Sequence, residues 1–139
     1  MTPKEYLRQY AALNAEIDCK FEEKRQLEAL AMNISAAFGS GSGGSGVSDK
    51  VGKNSARIAD LEKEIDKKID RLVDLREEIE TAIAAVEDSR CRTLLEEHYI
   101  NGKSWEKVAE VMGYSYYHTV ARLHPKALKE ISKHVTKCY

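Results

Sequence analysis

Ile58, Ile65, Leu72, Ile79 and Val86 recur every seven residues, and Leu61, Ile69, Leu75 and Ile83 follow them at intervals of three or four. A period near 3.5 belongs to a helix with one apolar seam, whereas a strand alternates with a period of two. No Pro or Gly interrupts residues 53–88. The pattern therefore predicts a helix of about 36 residues, roughly 54 Å long at the standard rise. Such a rod cannot bury its own stripe, so it needs a partner, and that restricts the chain to helix-on-helix architectures.

The first forty residues offer that partner. Tyr6, Tyr10, Leu13, Ile17, Leu27, Ala31 and Ile34 recur at helical spacing with charges on the other faces, which predicts a long amphipathic helix over 1–38. Lys20 and Lys24 stand where the stripe should continue, and Phe21 is offset from it, so the seam is expected to weaken halfway. Between the two helices lies GSGSGGSG, residues 39–46, whose residues have nothing to pack and no backbone preference. A run of this composition is also what laboratory linkers use. A linker over 39–48 can reverse the chain, and the simplest arrangement folds the two helices into an antiparallel, coiled-coil-like hairpin. A second copy of the chain is the alternative partner. Ser48 or Asp49 is the expected cap of the second helix, which spans 49–88.

At Glu87-Asp88-Ser89 the heptads stop and short helices separated by glycine turns begin, marking a domain over 89–139. Ser89 is the expected cap of a helix running to about Ile100, with Leu94, Leu95 and Tyr99 inward and Asn101-Gly102 as its stop. Ser104 then caps a short helix presenting Trp105, Val108, Ala109 and Met112. Gly113 turns the chain, Tyr114 plugs the turn, Ser115 caps the next helix, and Val120, Leu123, Ala127, Leu128 and Ile131 face inward. Helix, glycine turn, helix is the grammar of a helix-turn-helix, in which a small residue such as Ala109 lets the helices cross closely. The second helix then exposes Tyr116, Tyr117, His118, Arg122 and Lys126, a set suited to base edges, thymine methyls and phosphates.

Charge supports that reading. Residues 1–88 carry 13 Lys/Arg against 18 Asp/Glu, and 89–139 carry 9 against 5, so the C-terminal part is the one fitted to a polyanion. Residues 111–129 contain no Asp or Glu, which would repel phosphates. Cys19, Cys91 and Cys138 are odd in number and form no CxxC pair, as expected of free thiols in a reducing compartment. His134 and Cys138 are four residues apart but lack a second ligand pair, and no HExxH, GxSxG, P-loop or GxGxxG occurs. No metal, cofactor or catalysis is expected. With no leader and no apolar run of about 20 residues, a cytoplasmic protein without a membrane span is expected.

From Arg92 onward, LLEEHYINGKSWEKVAEVMGYS and HTVARLHPKALKEI resemble region 4 of sigma-70-type factors. The whole chain resembles a family of phage and prophage regulators similar to the ArpU and RinA groups, its earlier part through YLRQYAALNAEIDCK, GSGVSDKVG and IDRLVDLREEIETAIAAVED. The resemblance implies a trihelical reader of double-stranded DNA, with possible contact to RNA polymerase in the bacterial host. By position, Ser115, Tyr116, Tyr117, His118, Arg122 and Lys126 are its DNA candidates. Region 4 places its first buried aliphatic six residues after the turn glycine, whereas Val120 is seven after Gly113. One extra residue rotates the outward face by about 100° and makes Thr119 a further candidate. Pro125 is expected to kink or end the helix near His124. Lys107 replaces the family's usual acidic residue and, with Lys103, is a candidate phosphate contact.

The expectation is thus an all-α chain: a long two-helix hairpin followed by a trihelical helix-turn-helix domain, acting as a sequence-specific transcription regulator that dimerises through its N-terminal helices. A DNA-packaging component resembling a terminase small subunit, or a protein-binding anti-sigma or antirepressor module, are the competing readings.

Overall fold

The computed structural model describes residues 1–38 and 45–136, and side chains from 1–33 and 50–136. Among these residues the chain is all-helical, 86% helical and without strands. Five α-helices follow one another: α1 (Pro3–Phe38), α2 (Ser45–Ala84), α3 (Ser89–Leu95), α4 (Trp105–Met112) and α5 (His124–Ser132). Two π-helical stretches, Glu96–Ile100 and His118–Leu123, continue α3 and lead into α5. No helix among the described residues is long and apolar enough to cross a membrane.

Several boundaries differ from those expected. Helix α2 begins at Ser45, so Ser48 and Asp49 lie within it rather than capping it, and it ends at Ala84 instead of 88. The remainder of the expected linker, 39–44, falls outside the described residues, as do the Ile34 side chain and Cys138. The cap of α3 is Asp88, whose carboxylate accepts from the Arg90 amide, and not Ser89. The compact units also divide elsewhere: one comprises Met1–Asn14 with Leu72–Tyr139, the other Ala15–Arg71.

In the unit Ala15–Arg71, Ile17, Leu27, Leu61 and Ile65 are buried, and Ile58 and Ile69 are half-buried. The weak part of the α1 stripe is filled by charge. Lys20 reaches Glu64 at 3.4 Å, Lys24 reaches Glu62 at 3.3 Å, and Lys68 donates to Glu16 at 3.1 Å. Partners descend along α2 as they ascend along α1. Lys20 and Lys24 are only partly exposed, because a lysine stem covers apolar surface while its ammonium stays at the rim. Exposed pairs of this kind contribute little each, about 0–1 kcal/mol.

The other unit carries the larger core. Tyr6 and Leu7 of α1, Ile79 of α2, Leu94 and Leu95 of α3, Val108 of α4 and Ile131 of α5 are all sealed from solvent. Cys91 is also fully buried, and burial pushes its thiol pKa up. Arg76 of α2 lies over the Tyr10 ring, 6.0 Å from its centroid, and donates to its hydroxyl at 3.3 Å. All nine residues of the heptad stripe are buried or half-buried.

Candidate nucleic-acid interface

Short-range chemistry sets the frame of the candidate interface. Ser104 Oγ accepts from the Lys107 amide and starts α4. At its end Gly113 adopts φ 73°, the Tyr114 amide donates to the Ala109 carbonyl at 3.0 Å and the Gly113 amide to Glu110 at 3.2 Å. This double closure around a left-handed residue is a Schellman turn, and glycine adopts that backbone without steric cost. Ser115 Oγ then accepts from the His118 amide at 3.1 Å, opening the next helix. These are the caps and the turn that the sequence predicts.

The second helix departs from expectation at two linked points. Where a kink or stop was expected at Pro125, the chain stays helical from Tyr116 to Ser132 but changes type, and α5 begins at His124 with Pro125 in its first turn. It stays helical by widening first: the His124 amide donates to Thr119 five residues back, the π-helical pattern. A proline in an α-helix lacks a donor and collides with the carbonyl four residues earlier, here Ala121. The wider turn just ahead of Pro125 gives that carbonyl room to tilt away.

The same widening keeps the buried face in register. Thr119, Leu123, Ala127 and Ile131 are buried at strict intervals of four. Each interval overshoots a regular α-helical turn by about 40°, so three of them would carry Ile131 off the core. One π turn absorbs the excess. Thr119, six residues after Gly113, therefore takes the buried position, and its hydroxyl donates to the Ser115 carbonyl at 2.8 Å. Val120 and Leu128, expected inward, are only half-buried.

The candidate residues separate accordingly. Tyr116 and Tyr117 are 50% and 66% exposed, and Arg122 is exposed with no ion pair among the described residues. Lys126 is exposed and joined to Asp88 at 2.9 Å. His118 is half-buried, its ring 5.0 Å from that of Tyr114. Thr119 is fully buried and leaves the candidate face. Ser115 acts as the cap. Lys107 is exposed beside Glu110 at 3.5 Å. Lys103 is ion-paired with Glu97, whose carboxyl is held below its ordinary pKa chiefly by that hydrogen bond. Tyr116, Tyr117, Arg122 and Lys126 remain as the outward set.

Behind this face lies an aromatic cluster that spacing did not reveal. Trp105 is half-buried and stacks on His98 with centroids 3.7 Å apart, while His124 packs 4.3 Å from it on another side. The Tyr99 hydroxyl and His124 Nε2 share a buried hydrogen bond of 2.7 Å, and His98 Nδ1 bonds the Lys103 carbonyl at 2.7 Å. Burial, reinforced by Lys4, His98 and Arg8, pushes the His124 pKa down to about 4. Burial likewise lowers that of His98 and raises that of Tyr99 to about 12. The cluster is an aromatic wedge in which burial works against charging either imidazole, and it ties the end of α3 to the second helix.

Asp88, Cys91 and Glu130 bring ligand-type atoms within 4.8 Å of one another. Both Asp88 oxygens are already engaged by Arg90, and one by Lys126 as well. A divalent ion there would have to displace two cations first. No protein-family model, curated protein or solved structure matches the chain.

Proposed function

We propose that the chain is a double-stranded DNA-binding transcription regulator whose α4, Gly113 turn and second helix act as a helix-turn-helix, with the exposed side of residues 116–126 meeting the major groove. The observation that carries this reading is the outward set Tyr116, Tyr117, Arg122 and Lys126. It stands directly after a Schellman turn closed by two backbone hydrogen bonds, in a stretch without any carboxylate from 111 to 129. Aromatic edges contact bases and thymine methyls, and cations contact phosphates or guanine edges. The phage or prophage type of regulator rests on the family resemblance, as does any contact with RNA polymerase.

In this reading α1 and α2 form the antiparallel hairpin, which supports a homodimer. Phe21, Leu30 and Met32 are 42%, 50% and 74% exposed, apolar groups left over for a second copy. Two modules on adjacent half-sites then multiply affinity and specificity.

The test selects duplexes from a random library, footprints the enriched sequence and titrates it with wild type and Arg122→Ala. The expected result is a several-fold loss for the variant, with a salt dependence shallower by about one charge, and an unchanged melting temperature. Equal affinity of the two proteins would remove the assignment. A ring of many subunits in sedimentation would favour packaging over regulation. Absence of salt-dependent DNA affinity would favour a protein-binding module.

A further inference from the structure

The carboxylate of Asp88 is unusually well supplied with donors for a group at the surface. Its Oδ1 accepts from the Arg90 amide at 2.9 Å and from Arg90 Nε at 3.3 Å. Its Oδ2 accepts from Arg90 Nη2 at 3.0 Å and from Lys126 Nζ at 2.9 Å. Only 18% of the Asp88 side chain is exposed, against 50% for Arg90 and 49% for Lys126. The anion thus sits at the bottom of a notch flanked by these two cations, both open to solvent, with a Glu130 carboxylate oxygen within 4.8 Å on its inner side.

Two features separate the charge of Asp88 from its role in folding. Starting α3 requires only a side-chain oxygen that accepts from the Arg90 amide, and asparagine performs that as well as aspartate. The negative charge is addressed to Arg90 and Lys126 alone. Among the described residues, Asp88 is also the only carboxylate ion-paired with a cation of 111–129. Lys126 lies one turn beyond Arg122 on the helix assigned to DNA, in a stretch, 111–129, that contains no acidic residue. The donor geometry that grips a carboxylate, a guanidinium fork plus an ammonium, is the geometry that grips a phosphate.

We propose that Arg90 and Lys126 form a clamp for one DNA backbone phosphate, and that Asp88 fills this clamp in the free protein, so that carboxylate and phosphate compete for it. The proposal rests on the DNA-binding reading above and adds Arg90, which lies outside the helix-turn-helix, to the interface. Binding then exchanges one anion for another at the clamp. The exchange lowers the gain from each phosphate contact there and restrains non-specific association, which is carried almost wholly by such contacts.

The experiment measures binding of a fluorescein-labelled duplex of mixed sequence, about 24 base pairs long, across about 50 to 200 mM salt. Asp88→Asn keeps the cap and removes the competitor. Its affinity should rise about fivefold at the lowest salt, and the salt dependence should steepen by about 0.9 on the logarithmic scale, the value of one more phosphate. Adding Lys126→Gln to Asp88→Asn should cancel most of the gain. Arg90→Gln alone should weaken binding and flatten the salt dependence, and it keeps the test decisive if Asp88→Asn fails to fold. Unchanged or weaker binding by folded Asp88→Asn, or wild-type binding by Arg90→Gln, would overturn the clamp. If wild type binds with salt dependence and Arg122→Ala weakens it while these variants do nothing, the clamp fails alone. If wild type shows no salt-dependent binding, the DNA reading fails and the clamp with it.

Discussion

His124 is 7% exposed, packed against Trp105 and hydrogen-bonded to Tyr99, and its pKa of about 4 makes it a source of acid sensitivity. An unfolded chain has the ordinary histidine value of about 6.5. As pH falls, the unfolded chain takes up the proton first, so stability is fully present above about 6.5 and drains away between that value and about 4. The displacement corresponds to about 3 kcal/mol when the whole window is crossed. His98 shifts in the same direction and adds to the slope. Asp88 and Glu97 are shifted below their ordinary range, so their contribution is lost only at lower pH, as carboxylates protonate. Urea unfolding at pH 7.5 and pH 5 isolates the imidazoles: the expected outcome is a clear drop in midpoint at pH 5, reduced in His124→Gln. A midpoint constant over this range would show that the ring is not held neutral. Nothing in the sequence marks His124 for this role, because its environment is assembled by Tyr99 and Trp105 from 25 and 19 positions away.

At the level of elements, what was legible in the sequence is what short-range chemistry decides. The Ser104 and Ser115 caps, the left-handed glycines 102 and 113, and the inward Leu94, Leu95 and Tyr99 all stand where spacing puts them. The widened helix was not legible, since a periodicity argument assumes 3.6 residues per turn throughout and a π turn breaks that assumption. Its trace was visible only as one residue too many before Val120, and the structure resolves it by burying Thr119. Two glycines allow a test of the local argument by the same substitution. Gly113 has φ 73°, so Gly113→Ala should cost about 1 kcal/mol or more. Gly52 lies inside α2 with nothing within 4 Å of an added Cβ, so Gly52→Ala should stabilise by roughly 0.5–1 kcal/mol. Thermal melts that move the same way for both variants would contradict this account.

Over the whole molecule, the all-helical class followed from a single observation, the heptad stripe that no isolated rod can cover. The division into compact units did not follow from it. Expected boundaries tracked a change in helix length at 88, whereas compactness tracks which side chains share a core. Tyr6 and Leu7, more than seventy positions before Ile79, share a compact unit with it. No local pattern encodes a contact across that separation. The fully buried Cys91 turns this core into its own reporter. Cys19 is exposed and should react at once with an aromatic disulfide reagent, while in a Cys138→Ser background the second equivalent should appear only as fast as the unit containing α3 to α5 opens. Rapid titration of both thiols under native conditions would contradict the packing around Cys91. The delay between the two colour changes would then time the breathing of the C-terminal module from the chain's own thiols.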